Sequence, residues 1–222
     1  MRISNFGGIM TNPVLKAIRD RRSIIRFKSS TPIDDEKVKT VLEAGRWAPS
    51  WMNMQPWRFI AVNDEGIKKQ LSSTVPTFFN LSIRDAPICI VVCVNPKEDP
   101  YHFIEDGTTA AQNMALAAQS LGLGTSWIGV FSLDNERSSA ERKLKEILAI
   151  PKDWRVISVL PLGVPKFKEH KTRKELSDLL DFNYFRIREE RKPNLEEMEK
   201  PPAEIHEIPE PVSARELEHA PI

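Results

Sequence analysis

Three guanidinium groups and a hydroxyl stand close together in Arg21-Arg22-Ser23-Ile24-Ile25-Arg26-Phe27, near the front of the chain. The planar fork of arginine gives two parallel hydrogen bonds to a phosphate and stays charged at any ordinary pH, and Ser23 adds a short donor. On these residues alone the cluster reads equally well as a phosphate cradle or as a solvated basic face. Three later segments bear on the choice.

Ala48-Pro49-Ser50-Trp51-Met52-Asn53-Met54-Gln55-Pro56-Trp57-Arg58-Phe59 mixes amides and a hydroxyl with large apolar surfaces. Asn and Gln carry both donor and acceptor, so they can read the polar edge of a flat ring while aromatics exclude water; in loops they also serve as plain turn formers. In Leu121-Gly122-Leu123-Gly124-Thr125-Ser126-Trp127-Ile128-Gly129, glycines permit close backbone approach to a ligand, or simply stop a helix before a strand. Leu162-Gly163-Val164-Pro165 precedes Lys166, Lys168, Lys171, Arg173 and Lys174. Lys171 and Arg173 are two apart, so in an extended stretch both point the same way, toward one anion or toward solvent.

The elements that must position these segments follow from caps, breakers and periodicity. Asn12-Pro13 caps and opens a helix to about Asp20, and Thr31-Pro32-Ile33-Asp34 opens a second that runs to about Trp47, stopped by Pro49. Arg58–Val62 reads as a strand, Asp64 caps a helix to about Leu71, and Ile88–Val94 is a buried strand. The most helix-favouring stretch runs from about Ile104 to Leu121 and ends at Gly122; its alanines cover more than one face, as expected of a central helix. A polar helix from about Asn135 to Leu148 and a strand over Val156–Leu160 complete a layered fold of mixed α and β type. Thr77, Phe78, Phe79 and Asn80 fall between strands, in a stretch read as a variable loop.

Length and composition narrow the class. At 222 residues and 41% hydrophobic content the chain can bury one substantial core. Lys plus Arg total 32 against 31 acidic residues, so no overall charge calls for nucleic acid or an anionic membrane. The absence of a signal-like start or a long apolar run gives a cytoplasmic expectation. Cys89 and Cys93 share one face of a strand about 13 Å apart, too far for a disulfide, and read as small core residues. The four histidines have no zinc-like spacing, so no metal is expected. From Arg186 onward acidic residues outnumber basic ones and prolines recur, giving a tail that is either disordered or an arm over a neighbouring subunit.

Taken in order, Arg-Arg-Ser, Ala-Pro-Ser…Asn-x-Gln-Pro-Trp, Ala-Ala-Gln-Asn-Met leading to Leu-Gly-Leu-Gly-Thr, and Leu-Gly-x-Pro before a basic pair make the chain resemble the nitroreductase-like FMN-dependent flavoproteins. The match runs from about Pro13 to Leu180. The resemblance implies an α+β layered fold, a central mixed sheet flanked by helices, in an intertwined homodimer. It divides the chain into a lead at 1–12, an FMN-binding domain at 13–185 and a tail or dimer-wrapping arm at 186–222.

It also implies FMN as cofactor and NADH or NADPH as electron donor. By position, Arg21, Arg22, Ser23, Lys171 and Arg173 hold the phosphate and ribityl chain. Pro49, Ser50, Asn53 and Gln55 belong to the ring-side loop, delivered to the other subunit's flavin, with Asn113 a further candidate. Ser126, Trp127, Ile128 and Gly129 lie along the ring, the last two offering amides. The implied activity is ping-pong hydride transfer through FMN to an electron-poor small molecule such as a nitroaromatic or quinone, with no separate catalytic side chain. The alternatives are a specialised flavoenzyme of the same fold (dehalogenase, dehydrogenase or flavin-destroying) or a non-catalytic flavin-binding sensor. The chain departs from the pattern at Ile25, where a basic residue is common and Arg26 is the nearest substitute. It departs again at Trp51, where a small residue is common, and no acidic side chain stands beside Gly129.

Overall fold

A computed structural model describes residues 12–29, 31–133, 139–167 and 171–185. These fall into two units divided after Phe167. The first contains α1 (Pro13–Asp20), α2 (Asp35–Arg46), β1 (Trp57–Val62), α3 (Glu65–Thr74), α4 (Thr77–Asp85), β2 (Ile88–Val94) and α5 (Phe103–Ser120). It continues with β3 (Gly124–Thr125), β4 (Ile128–Gly129), α6 (Ala140–Ile147) and β5 (Arg155–Gly163). The second contains the single turn of helix α7 (Leu176–Leu179).

The sheet runs β1-β2-β5-β3, with β4 also on β5. The α+β layers are as expected, but the sheet's mixed character is slight. Every strand pair among the described residues is antiparallel, and the parallel contribution is the isolated Ser23–Thr125 bridge. β2 is apolar throughout because both its faces are covered. Cys89, Val91 and Cys93 enter one core with Leu71, Ile83 and Leu144 from α3, α4 and α6. Ile90, Val92 and Val94 enter the other with Val41 of α2 and Ala111, Met114 and Ala118 of α5. Burial pushes both thiols up to about 12, which fits the reading of them as core residues.

Helix α5 lies close on the sheet because Gly107 allows it: a Cβ there would stand 2.7 Å from Ile157 Cγ1 and 2.8 Å from Val94 Cγ1. Its end is set by Gly122 at φ 75°, with the Leu123 amide donating to Ala118 O at 2.9 Å, so the chain turns directly into β3. The stretch read as a loop around Phe78 is instead α4. Phe79 packs into the core while Phe78 stays 67% exposed, and the two rings meet edge to face at 5.2 Å. The polar helix expected from Asn135 begins at Ala140, capped by Ser139 Oγ; its earlier residues 135–138 lie outside the described set. The expected tail at 186–222 and lead at 1–11 lie outside it as well.

Candidate functional site

Three of the four chemistry-bearing segments meet along the outer edge of β5. Ser23 bridges Thr125, and the Ile24 amide donates to Thr125 O at 3.0 Å. Phe27 bridges Pro165, the Lys28 amide donates to Val164 O at 2.9 Å and the Lys166 amide to Arg26 O at 3.0 Å. Gly124 pairs with Gly163. This packing has a steric requirement: a Cβ on Gly124 would lie 2.5 Å from Ile24 Cγ1, and one on Gly163 would lie 2.7 Å from Phe27 Cδ1. The two glycines therefore let the arginine-bearing segment lie flat against the sheet.

Arg22 turns back on the end of α1, its Nη1 donating to Arg19 O at 2.6 Å and Arg21 O at 2.7 Å. Its Nε is buried with no hydrogen-bond partner. Asp20 takes Lys16 at 2.6 Å and Arg19 at 2.9 Å, and these two donors hold its carboxyl down at about 2. Arg26, the nearest substitute for the missing charge at Ile25, pairs with Asp85 at 3.1 Å at the end of α4.

Beyond Thr125 the chain leaves β5 and returns at β4. Pro161, which has no N–H, falls in the gap between the two pairings. Ser126, 2% exposed, sits in that excursion with Oγ lacking a partner, while Trp127 is 37% exposed. The Val130 amide donates to Ile157 O, which fixes the alternation: the backbone of Ile128 faces β5, and the amide of Gly129 faces away from it. The Ile128 side chain is core. From Gly163 to Ser158, opposite Gly129, the edge extends about 17 Å at the usual rise of a strand.

The Gly129 end of that edge is braced by a buried ion pair the sequence gave no reason to single out. Glu141, 0% exposed, receives Arg155 Nε at 2.8 Å and Nη2 at 2.9 Å, and also the amides of Ser132 and Val156 at 3.0 Å each. Arg155 lies 4.2 Å over the Phe131 ring. Burial pushes the Glu141 carboxyl up, but Arg155 and the two amides outweigh it and the net shift is down. In sequence Glu141 is one more acid in the first turn of a polar helix.

The fourth segment, Pro49–Gln55, sits elsewhere. It is tied near the start of α5: the Trp51 amide donates to Asp106 Oδ1 at 3.0 Å, and Thr109 Oγ1 to Pro49 O at 3.0 Å. Ser50 Oγ accepts the Gln55 amide at 2.9 Å, and Gln55 Nε2 donates to Asn53 O at 3.1 Å. Met52, Asn53 and Gln55 all have positive φ, at 46°, 59° and 52°. Asn113 donates to Ala44 O at 3.2 Å, a tie between α5 and α2. Since β3 and the arginine segment follow the far end of α5, the loop and the cluster are separated by about 20 Å of helix. Lys171 and Arg173 belong to the second unit, in exposed chain before α7, where Arg173 donates to Thr172 O at 2.9 Å.

The residues gathered at the β5 edge suit a flat anionic cofactor. Arginine forks and Ser23 stand at one end, the buried donor atoms Ser126 Oγ and Arg22 Nε lack partners, and an outward amide stands at the other end. The comparisons agree with the fold. The sequence profile of the Nitroreductase family matches residues 18–76 and 68–164, and the chain belongs to that family. A candidate NADH dehydrogenase/NAD(P)H nitroreductase of Archaeoglobus fulgidus is 39% identical over 155 residues, 68% of this chain and 85% of that protein. The structure of a candidate nitroreductase of Desulfovibrio desulfuricans in complex with FMN superposes with TM-score 0.68 at 32% identity, covering 79% of this chain and 99% of that one. An NADPH:FMN oxidoreductase of Vibrio harveyi complexed with NAD+ gives TM-score 0.67 at 25% identity, over 84% and 82%.

Proposed function

We propose that this protein is an FMN-dependent oxidoreductase that takes hydride from NADH or NADPH and passes it, in a ping-pong sequence, to an electron-poor small molecule such as a nitroaromatic or quinone. The observation that carries the reading is the single sheet edge that unites Arg21–Phe27 with Gly124–Gly129 and leaves Ser126 Oγ and Arg22 Nε buried without partners. FMN, when bound, supplies the hydride chemistry, so the chain itself needs no catalytic acid or base.

The chain's own part is binding, orientation and polarisation. Arg21, Arg22 and Ser23 hold the phosphate end, and Lys171 and Arg173 join them on the family pattern alone. Ser126, Trp127 and Gly129 line the ring, with the Gly129 amide as the donor turned outward; the Ile128 amide expected beside it is turned into β5 and its side chain into the core, so Ile128 backs the site without touching the ring. Such a preset donor stabilises negative charge on a ring without reorganising. Pro49, Ser50, Asn53 and Gln55 serve the flavin of a second subunit, a role supported by their separation from the cluster along α5. The homodimer is further supported by α1, which buries none of its residues and exposes Val14, Leu15 and Ile18. In this reading residues 13–185 form the FMN-binding domain and 186–222 a tail or dimer-wrapping arm, and the protein works in the cytoplasm without nucleic-acid or membrane partners.

Calorimetric titration with FMN tests the proposal. Binding is expected, and Arg21→Ala combined with Arg173→Ala weakens it by about 100-fold or more, since hydrogen bonds to charged groups contribute about 1.5–3 kcal/mol each. Colourless protein that shows no FMN binding overturns the reading. NAD(P)H oxidation that does not respond to added nitroaromatic or quinone removes the assigned acceptor class.

A further inference from the structure

A cavity of about 400 Å³ opens beside the end of α6, where Arg142, Lys145, Glu146, Ile150, Pro151 and Lys152 line it. The lining shares no residue with the β5 edge or with the Pro49–Gln55 loop. Lys145 is its unusual member. It is 7% exposed, and its Nζ donates to a single acceptor, Lys152 O at 2.8 Å. An ammonium carries three donors, and a lysine this deeply buried is ordinarily paired. Among the described residues no carboxylate pairs with it: Glu141, one turn earlier on α6, is taken up by Arg155, and Asp153 by Lys97.

Nor does the helix need this lysine as a cap. The turn at Ala149, with φ 52°, brings the Ile150 amide to Lys145 O at 2.9 Å, and the Leu148 amide reaches Leu144 O at 3.0 Å, so those end carbonyls already have donors. The surrounding charges enlarge the deficit. Arg142 and Lys152 add two cations to the lining, and its one carboxylate, Glu146, lies 3.7 Å from Arg142. Burial pushes the Lys145 ammonium down and Arg142 and Arg155 push the same way, while Glu141 and Asp153 do not make up the difference. An anion entering the cavity supplies the acceptors that the chain does not.

We propose that this cavity is a binding site for a small phosphate monoester, with the phosphate held by Lys145, Arg142 and Lys152 and the organic part laid against Ile150 and Pro151. A phosphate dianion answers several cations at once, and the guanidinium of Arg142 offers it a fork. At about 30 Å³ for each water of the liquid, the cavity has far more room than a bare phosphate fills. Its apolar wall suits the remainder of an ester.

Phenyl phosphate and inorganic phosphate are the probes, added in the presence of saturating FMN so that the arginine segment at the β5 edge does not compete for them. The readout is the Lys145 ε-CH₂ signal of lysine-labelled protein, assigned by its loss in Lys145→Met, which reports this cavity whether or not FMN binds. Its titration midpoint is expected below that of the exposed lysines, rising by about one pH unit or more with saturating phenyl phosphate, because a bound dianion favours the ammonium. Phenyl phosphate is expected to bind about tenfold tighter than inorganic phosphate. Lys145→Met weakens it by about tenfold or more, and Lys143→Met, at an exposed position of the same helix, leaves it unchanged. Equal affinity for the two probes overturns the monoester assignment. A Lys145 signal that phenyl phosphate does not move, or that sodium chloride moves as far, overturns the site, as does undiminished affinity in Lys145→Met. Removing an unpaired buried cation should cost no stability, so ligand-free Lys145→Met is expected to unfold in urea no earlier than the native protein. A clear loss there would mean that the lysine serves the fold through Lys152 and not a ligand.

Discussion

The β5 edge and the Pro49–Gln55 loop carry similar chemistry on opposite kinds of backbone. At the edge, the arginine segment is bonded into the sheet at Thr125, Val164 and Lys166, and two glycines remove the side chains that would hold it off. In the loop, three non-glycine residues stand in the left-handed region, and the side chains of Ser50 and Gln55 bond the loop's own backbone. Rigid sheet fixes donors where a ligand needs several at once. A strained, outward loop instead presents surface to something beyond its own chain, and it is held by a few ties that can be broken singly.

That contrast can be tested by disturbing each side. The largest effect is expected at the brace of the edge: Glu141→Ala leaves Arg155 buried without its partner and should destabilise the protein by about 3–5 kcal/mol in urea unfolding. Because the Glu141 carboxyl is held down in the folded state, its contribution is complete above the ordinary carboxylate range and is lost as pH falls through its lowered value. An unfolding midpoint unchanged by Glu141→Ala would mean the edge does not depend on that pair. Next comes Gly124→Ala, whose Cβ overlaps Ile24; a loss of about 1–3 kcal/mol is expected together with weaker FMN binding. Full FMN affinity in that variant would separate the glycine contact from the cradle. On the loop side, Met52→Gly relieves a φ of 46° and should raise stability by less than about 1 kcal/mol. A clear loss there would show that the Met52 side chain, and not its backbone, is what the loop needs. Smallest of all is the response of the core between the two regions: Cys89 and Cys93, pushed up to about 12 by burial, should resist thiol reagents at about pH 8 until the chain is unfolded. Rapid labelling of the folded protein would contradict a closed core.

The sequence displayed the edge better than the loop for a physical reason. Arginines, glycines and the Leu-Gly-x-Pro stretch announce themselves by type, and the strands that join them have strong apolar runs, so the first region was legible in outline. Caps and breakers also placed α1, α2 and α5 to within a residue or two. What stayed hidden depends on long-range burial. Asp106 and Glu141 look like ordinary acids in a first helical turn, and only packing makes one the acceptor for the Trp51 amide and the other the sink for Arg155. Helix α4 is hard to see in the sequence because its Phe78–Phe79 pair lacks a clear helical stripe: one ring enters the core and the other does not. Arg26 looked available until α4 brought Asp85 to it.

Helix α1 has a consequence of its own. It is eight residues long, is held by the Asn12 cap, and buries none of its side chains, yet it leads directly into Arg21 and Arg22. A helix this short is marginal without a surface to lie on. Covering it with a second copy would steady the backbone that aims those guanidinium groups. Thermodynamic reciprocity then works in both directions: whatever factor association adds to anion affinity, the bound anion returns to association. Dilution and loss of ligand would become two routes to the same separated state.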